Sequence, residues 1–435
     1  MPSTRLDKIR LQDAQRKTQA LGRIQSGELK LHELGREYGE ERAAAIRRAY
    51  LEDKYGCSLV NVAKASIIDY EDAAKSSAEN MIGAMGSIPI GFSEAIVDGE
   101  YLNTRKESAK AGAKPVFLAT TEGKLISGIN RGMKAINESG GATARVLRDH
   151  MTRSVAIELS GITQVKAAID LARSPAGNKT IEEEFYNNTN HGRLKHVQYF
   201  AEGKTLFMRY DVETKAAMGM NMVTIASNNA TAELVKLMNA NGLPAEIITE
   251  SANFCIDKKG GHVNRLLGRG LSVTAEAVIP KDVVEKVLKT TPEKIVKINY
   301  KKNYVGSSLA GSMGNNAQVA NVLAATFIAY GQDLAQVVDG ANAMDDADIT
   351  DSGSLYFAVN LPSLEVGTYG GGTRREVQKE LLKASGVYGG GDEDGVTKMR
   401  FAELIAATCL AGELNLLAAE TSGHLTKAHG SLLRK

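Results

Sequence analysis

Ala217-Met218-Gly219-Met220-Asn221-Met222 places three of the chain's 13 methionines within five residues. Upstream, residues 206–212 read as an extended segment. Downstream, residues 222–226 read as a second strand, Ser227-Asn228-Asn229 as a polar break, and residues 231–239 as a helix. A Gly-centred turn leaving a strand lets backbone N–H groups approach a phosphate closely. Unbranched, polarizable Met packs against a flat ring without imposing one shape. Core filling is the alternative use of Met, but interleaved Gly and Asn add nothing to a core. Working outward, residues 155–159 read as a strand, 163–173 as a helix and 245–248 as a strand. The rhythm is βαββαβ, that of a ferredoxin-like unit over residues 150–249. It is inserted in a larger domain made of residues 69–149 and 250–435, which carries long apolar helices at 317–330 and 398–417. Residues 1–68, rich in Lys, Arg, Glu and Leu, read as a helical N-terminal region broken near Gly35 and Gly39. The expected fold class is therefore α+β.

The chain has 435 residues, 24% of them charged and 43% hydrophobic, with a net charge of +2. This is the composition of a globular protein with more than one domain. No basic stripe interleaved with aromatics suggests nucleic acid as a partner. The longest apolar run, residues 401–419, is interrupted by Glu403, Glu413 and Asn415, so no membrane partner is expected. The N-terminus has no apolar signal core. Cys57, Cys255 and Cys409 form no metal-type pair and suggest a reducing compartment, hence a cytoplasmic protein without a metal. Gly203-Lys204-Thr205 lacks the earlier Gly of a P-loop, and Gly370-Gly371-Gly372 lacks the dinucleotide-fold spacing, so any dinucleotide site is built differently.

Four places carry chemistry. Glu122, after the apolar strand ending near Thr120, is placed to sit half buried with a raised pKa, ready to give a proton; a solvated loop Glu is the alternative. Asp257-Lys258-Lys259-Gly260-Gly261 is a mobile cationic loop in which an ammonium can meet a developing oxyanion, or else a solvated charge run. Asp333 follows an apolar helix, where the dipole disfavours a carboxylate, so a lysine is expected to compensate it. His424 and His429 stand five residues apart, off a common helical face, which suits one proton donor and not a pair of metal ligands.

These motifs together resemble hydroxymethylglutaryl-coenzyme A reductase, in its archaeal or eukaryotic-type catalytic portion, over roughly residues 69–435. The resemblance is carried by Glu79-Asn80-Met81-Ile82-Gly83, Ala119 to Gly123, Arg145-Val146-Leu147 and Met151-Thr152-Arg153. It continues through Met218 to Met222, Asp257-Lys258-Lys259, Gly331-Gln332-Asp333, Gly367 to Thr373 and Gly423 to His429. It implies reduction of the acyl-coenzyme A thioester to mevalonate by two hydrides from NADPH, or alternatively NADH. Coenzyme A enters as part of the substrate. By the same resemblance Lys258 stabilises the carbonyl oxyanion, Glu122 supplies protons, Asp333 holds and tunes both, and His429 protonates the leaving thiolate. Glu79, Arg153, Ser251, Asn253, Lys259, Lys302 and Asn321 match substrate-binding positions. Met218, Gly219, Met220, Asn221, Gly370, Gly371 and Gly372 match cofactor contacts. The resemblance also implies a homo-oligomer, a dimer or dimer of dimers, with active sites shared between subunits.

The chain departs from the family pattern in three places. Lys215-Ala216 replace a Gly-Asp pair before the Met-rich turn. Thr189-Asn190 stand where a Ser-Arg pair meets the cofactor's 2′-phosphate, leaving Lys215, His191 or Arg434 as replacement cations. The segment Ala84 to Glu94 is longer and lacks a Gly-Pro-Leu. These changes motivate a competing reading, a non-catalytic relative that binds acyl-coenzyme A as a sensor or scaffold.

Overall fold

The computed structural model describes residues 17–63, 88–103, 112–390 and 394–422. Glu79, His424, His429, Arg434 and residues 84–87 of the altered segment lie outside them. The fold is α+β. In chain order the N-terminal region contributes α1 (Leu34–Tyr38), α2 (Glu40–Tyr55) and α3 (Val60–Ala63). Next come β1 (Ile90–Ala95), β2 (Val97–Gly99), β3 (Lys114–Ala119), α4 (Leu125–Glu138) and β4 (Ala142–Glu158). Then follow α5 (Ile162–Arg173), α6 (Pro175–Asn187), β5 (Arg193–Glu202), β6 (Thr205–Glu213), α7 (Met220–Ala240) and β7 (Glu246–Thr249). The remainder holds α8 (His262–Leu267), β8 (Gly270–Ile279), α9 (Pro292–Ile298), α10 (Val319–Tyr330), β9 (Met344–Ile349), β10 (Leu355–Leu364), α11 (Glu376–Ala384) and α12 (Val396–Thr421).

One strand organises the molecule. The first half of β4 pairs with β8, from Thr143 opposite Glu276 to His150 opposite Gly270. Its second half pairs with β6, from Met151 opposite Val212 to Glu158 opposite Thr205. The resulting strand order is β5-β6-β4-β8-β10-β9, with β2 and β7 also pairing with β4. The change of partner at His150–Met151 coincides with a change of core. Ala142 and Ala144 bury into the larger apolar cluster with α4, α10 and α12. Met151, Val155 and Ile157 bury into a second cluster with α5, α6 and α7. A third, small cluster holds Ala20, Leu29, Leu34, Ala43 and Ile46 of the N-terminal helices.

The second unit runs β4-α5-α6-β5-β6-α7-β7. Set beside the expected βαββαβ order it has an added helix, α6, and residues 222–226 are helical, not a strand. Val223-Thr224-Ile225 is a short β-branched run that periodicity alone does not assign. Burial decides it: Val223, Ala226, Ala230 and Leu234 recur with helical spacing on the core side, and Ile225 is 57% exposed. The missing strand is β5, upstream, joined to β6 by Gly203-Lys204 with Gly203 at φ 56°.

Helix α12 is, among the described residues, the one helix long and apolar enough to cross a membrane, and 94% of its most apolar window is buried inside the protein. Its polar interruptions all have partners. The Glu403 carboxylate accepts N–H bonds from Glu100, Tyr101 and Leu102. Glu413 accepts those of Ala317 and Gln318 ahead of α10, and Asn415 accepts from Arg131 Nε at 2.7 Å. Buried carboxylates here satisfy loop N–H groups that would otherwise be orphaned.

Candidate active site

Lys258 sits on the loop between β7 and α8. Asn253, Ile256 and Lys258 all have positive φ, at 59°, 47° and 59°. For a β-branched residue such as Ile256 this is a strained conformation that the surroundings must impose. They do so through named bonds. The Ala252 N–H donates to Ser154 O at 2.9 Å, Asn264 Nδ2 to Ile256 O at 2.9 Å, and the Lys258 N–H to Asp339 Oδ2 at 2.9 Å. These bonds hold the loop's backbone at three points. Lys258 Nζ lies 2.8 Å from Asp333 Oδ2. Asp333 escapes the dipole penalty expected of it. α10 ends at Gly331, φ 68°, and the Asp333 side chain caps the next short helix by accepting the Ala335 N–H.

Beneath the loop lies a buried polar cluster. Arg269 Nη2 is 3.0 Å from Asp257 Oδ1, and Nη1 is 3.2 Å from Asp339 Oδ2 and 3.0 Å from Glu365 Oε1. Burial alone would raise the Asp257 carboxyl, but Arg269, the Gln336 amide and Arg153 hold it below the usual range. Burial pushes Asp339 up to about 6 against the pull of Arg269, and pushes Glu365 well above the ordinary carboxylate value. Arg153, 7% exposed, donates to Ser251 Oγ at 2.7 Å and to Thr224 Oγ1 at 2.9 Å, and stands 3.6 Å from Asp257. It thus joins the loop to α7. Lys259 is exposed, its Nζ donating to Asp257 O at 3.2 Å, and Asn253 is exposed.

Glu122 is elsewhere. It lines a cavity of about 230 Å³ with Thr120, Thr121, Asn321, Ala324 and Ile328 among others, a lining that includes neither Lys258 nor Asp333. Asn321 Nδ2 donates to Glu122 Oε1 at 3.3 Å. The Glu122 carboxylate is exposed in the chain, not half buried as expected, because its turn follows β3 out of the core. Lys302, in the π-helical segment Asn299–Gly306, pairs with Glu420 at 2.5 Å.

The Met-rich turn links β6 to α7. Gly219, φ 84°, caps α7, and an added Cβ would lie 2.4 Å from Thr214 Cγ2, so only Gly fits. Thr368 N–H donates to Ala216 O at 2.8 Å, and a Cβ on Gly367 would meet Met218 N at 2.5 Å. Lys398, 2% exposed, holds Thr214 Oγ1 at 3.1 Å and Asp149 at 2.8 Å. No side chain caps the N-terminus of the 21-residue α7. Gly370 and Gly371, at φ 84° and 54°, have nothing within 4 Å of an added Cβ. A helix N-terminus without a side-chain cap and two open glycines are features that can hold the phosphates of an anionic dinucleotide. Thr189 is buried, accepting the His191 N–H at 3.1 Å, and Asn190 is exposed.

Sequence reading passed over Arg269, Gln336, Asp339, Glu365 and Lys398. Gly268-Arg269-Gly270 ahead of an apolar strand was an available signal for Arg269. Apart from Asp257 and Met220, its partners Gln336, Asp339 and Glu365 stand 67 to 96 residues away, and no local pattern shows them.

Comparison with known proteins identifies the family. Residues 43–434 match the family model described as hydroxymethylglutaryl-coenzyme A reductase. The chain is 42% identical over 415 residues to the 3-hydroxy-3-methylglutaryl-coenzyme A reductase of Pyrococcus abyssi, covering 95% of this chain and 98% of that one. It is 43% identical over 413 residues to the Haloferax volcanii protein of the same name, covering 95% and 98%. Among solved structures, the fold is similar to the class II reductase of Streptococcus pneumoniae bound to NADPH. The TM-score is 0.64 and the identity 18%, over 90% of this chain and 100% of that one. The chain therefore belongs to the hydroxymethylglutaryl-coenzyme A reductase family.

Proposed function

We propose that this protein reduces hydroxymethylglutaryl-coenzyme A to mevalonate and free coenzyme A, with NADPH as the donor. The observation that carries this reading is Lys258, fixed on a strained loop with its ammonium 2.8 Å from Asp333. Such an ammonium donates to the carbonyl oxygen as negative charge builds on it, and a single preorganised donor of this kind is worth about 10²–10³ in rate. Asp333 keeps that ammonium aimed. Arg153, with Ser251 on one Nη and Asp257 nearby, presents a cation to the acyl carboxylate. Glu122, oriented by Asn321, supplies protons to the oxygens being reduced, and His429 protonates the departing thiolate.

Two cofactor molecules, seated one after the other on the Met218–Asn221 turn with Gly370 to Gly372, would each supply one hydride, the first to the thioester carbon and the second to the aldehyde carbon. Lys215, at φ 53°, and exposed His191 beside Thr189 stand in for the family's arginine at the 2′-phosphate. Because the Glu122 cavity is lined by neither Lys258 nor Asp333, we assign the complete site to two copies of the chain, Glu122 from one meeting Lys258 from the other.

Incubation with the acyl-coenzyme A and each reduced cofactor tests the reading. The expected result is cofactor oxidation with mevalonate formed, at a higher kcat/KM for NADPH. No turnover with either cofactor, with acyl-coenzyme A still bound, identifies a non-catalytic binder instead. A higher kcat/KM for NADH overturns the NADPH assignment alone.

A further inference from the structure

The proposed chemistry leaves Arg269 without a task. It is fully buried between Gly268 and Gly270, both at positive φ (80° and 75°). Its guanidinium reaches two functional segments at once. Toward the Lys258 loop it holds Asp257 Oδ1 at 3.0 Å and Asp339 Oδ2 at 3.2 Å, and Asp339 Oδ2 in turn accepts the Lys258 N–H. Toward the cofactor turn its Nη2 lies against the thioether sulfur of Met220, the first residue of α7. Gln336 braces both sides of the loop contact, accepting from Arg269 at 3.1 Å and donating to Asp257 at 3.0 Å. Buried charge clusters are a poor route to stability, since apolar replacements of similar volume are often as stable or more so. A cluster at this junction calls for another use.

We propose that Arg269 is a positioning residue that couples the cofactor turn to the loop of Lys258, acting through Met220 on one side and through Asp257 and Asp339 on the other. The proposal rests on the reductase reading, which gives Lys258 its role. Seating the cofactor against the turn fixes Met220, Met220 fixes the guanidinium, and the two carboxylates carry that placement to the Lys258 backbone.

The groups facing Asp339 are Arg269, the Asp257 and Glu365 carboxyls, the Asn264 side chain and the Lys258 amide. Burial pushes the Asp339 carboxyl up to about 6. The carboxylate that grips the Lys258 N–H therefore predominates above that pH and is lost below it.

Hydrogen–deuterium exchange over residues 217–224 and 251–261 of the full chain, with and without NADPH, tests the coupling beside steady-state kinetics. In the wild type, NADPH slows exchange in both segments. Arg269→Lys keeps the slowing in 217–224, loses it in 251–261, and lowers kcat by about tenfold or more while the cofactor KM changes little. Asp339→Asn, the variant that keeps the shape of the site, melts no lower than wild type at about pH 8. It speeds exchange in 251–261 alone and flattens the rise of kcat between about pH 5 and 7.

NADPH-induced slowing of 251–261 that survives Arg269→Lys overturns the coupling, as does an unchanged pH profile in Asp339→Asn. A wild type in which NADPH leaves 251–261 unaffected overturns it too, whatever its turnover. A wild type with coupled slowing and no turnover refutes the reductase reading and keeps the coupling. One that binds neither cofactor refutes both.

Discussion

At the scale of single residues, Lys258 and Asp339 make opposite demands on the fold. Lys258 spends backbone strain for position, so its side chain can be removed at little cost to folding. Lys258→Met is expected to lower kcat by about 10²–10³ while leaving the melting temperature within a few degrees, because a half-exposed ion pair contributes about 0–1 kcal/mol. Thermal melts beside turnover separate the two effects. Asp339 works in the other sense. Its folded-state pKa, about 6, lies above the ordinary value of 3.8, so the folded protein holds the proton more tightly than the unfolded chain. That contribution is fully present below the ordinary value and is lost as pH rises through about 6, on the order of 3 kcal/mol in all. Asp339→Asn should therefore gain on the wild type as pH rises from about 4 to 7 in urea denaturation. A constant difference across that range would refute the assignment. Chemistry-bearing residues in local motifs, such as Lys258 within Asp257-Lys258-Lys259, were legible in the sequence as candidates. Arg269 was not, because its meaning lies in Glu365, 96 residues on, and Asp339, 70 residues on.

At the scale of elements, close backbone approach explains what periodicity does not. The long apolar helices were legible because buried α10 and α12 carry continuous apolar surface. The edges and short strands were not. Residues 222–226 and β5 exchanged roles because a β-branched triplet suits either state until its neighbours bury it, whereas β5 presents a half-exposed, mixed face with no alternation to read. The same neighbours set a testable limit on α4. A Cβ on Gly132 would sit 1.9 Å from Ala411 O of α12, where backbone cannot yield as a side chain does. Gly132→Ala should force α4 off α12 and destabilise by about 2 kcal/mol or more, despite the better helix propensity of Ala. Equilibrium unfolding checks it, and a neutral or stabilised variant would show that the helices can shift freely. Gly128, on the same face, offers a contrast. Its Cβ would meet only the Asn415 side-chain amide, at 2.5 Å, which can rotate aside.

At the scale of the whole molecule, β4 ties two cores together, and the second of them holds the Met-rich turn's helix. Lys398 and Asp149 lock the crossing, 2.8 Å apart where β4 leaves the larger sheet. Within this frame one chain sets Lys258 beside Asp333 and, separately, Asn321 beside Glu122. If the working site draws Glu122 and Lys258 from different copies, two dead variants must rescue one another. Glu122→Gln and Lys258→Met should each be inactive alone. Mixed at equal amounts, denatured and refolded together, half of the resulting dimers are hybrids, and each hybrid holds one site with both native groups and one with neither. Activity should then return to about a quarter of the wild-type level. Sites built within single chains would give none, since every chain in the mixture lacks one of the two groups. The yield of the mixing experiment thus reads out the architecture of the site directly, independent of any change in cofactor affinity, because neither substitution touches the Met218–Asn221 turn.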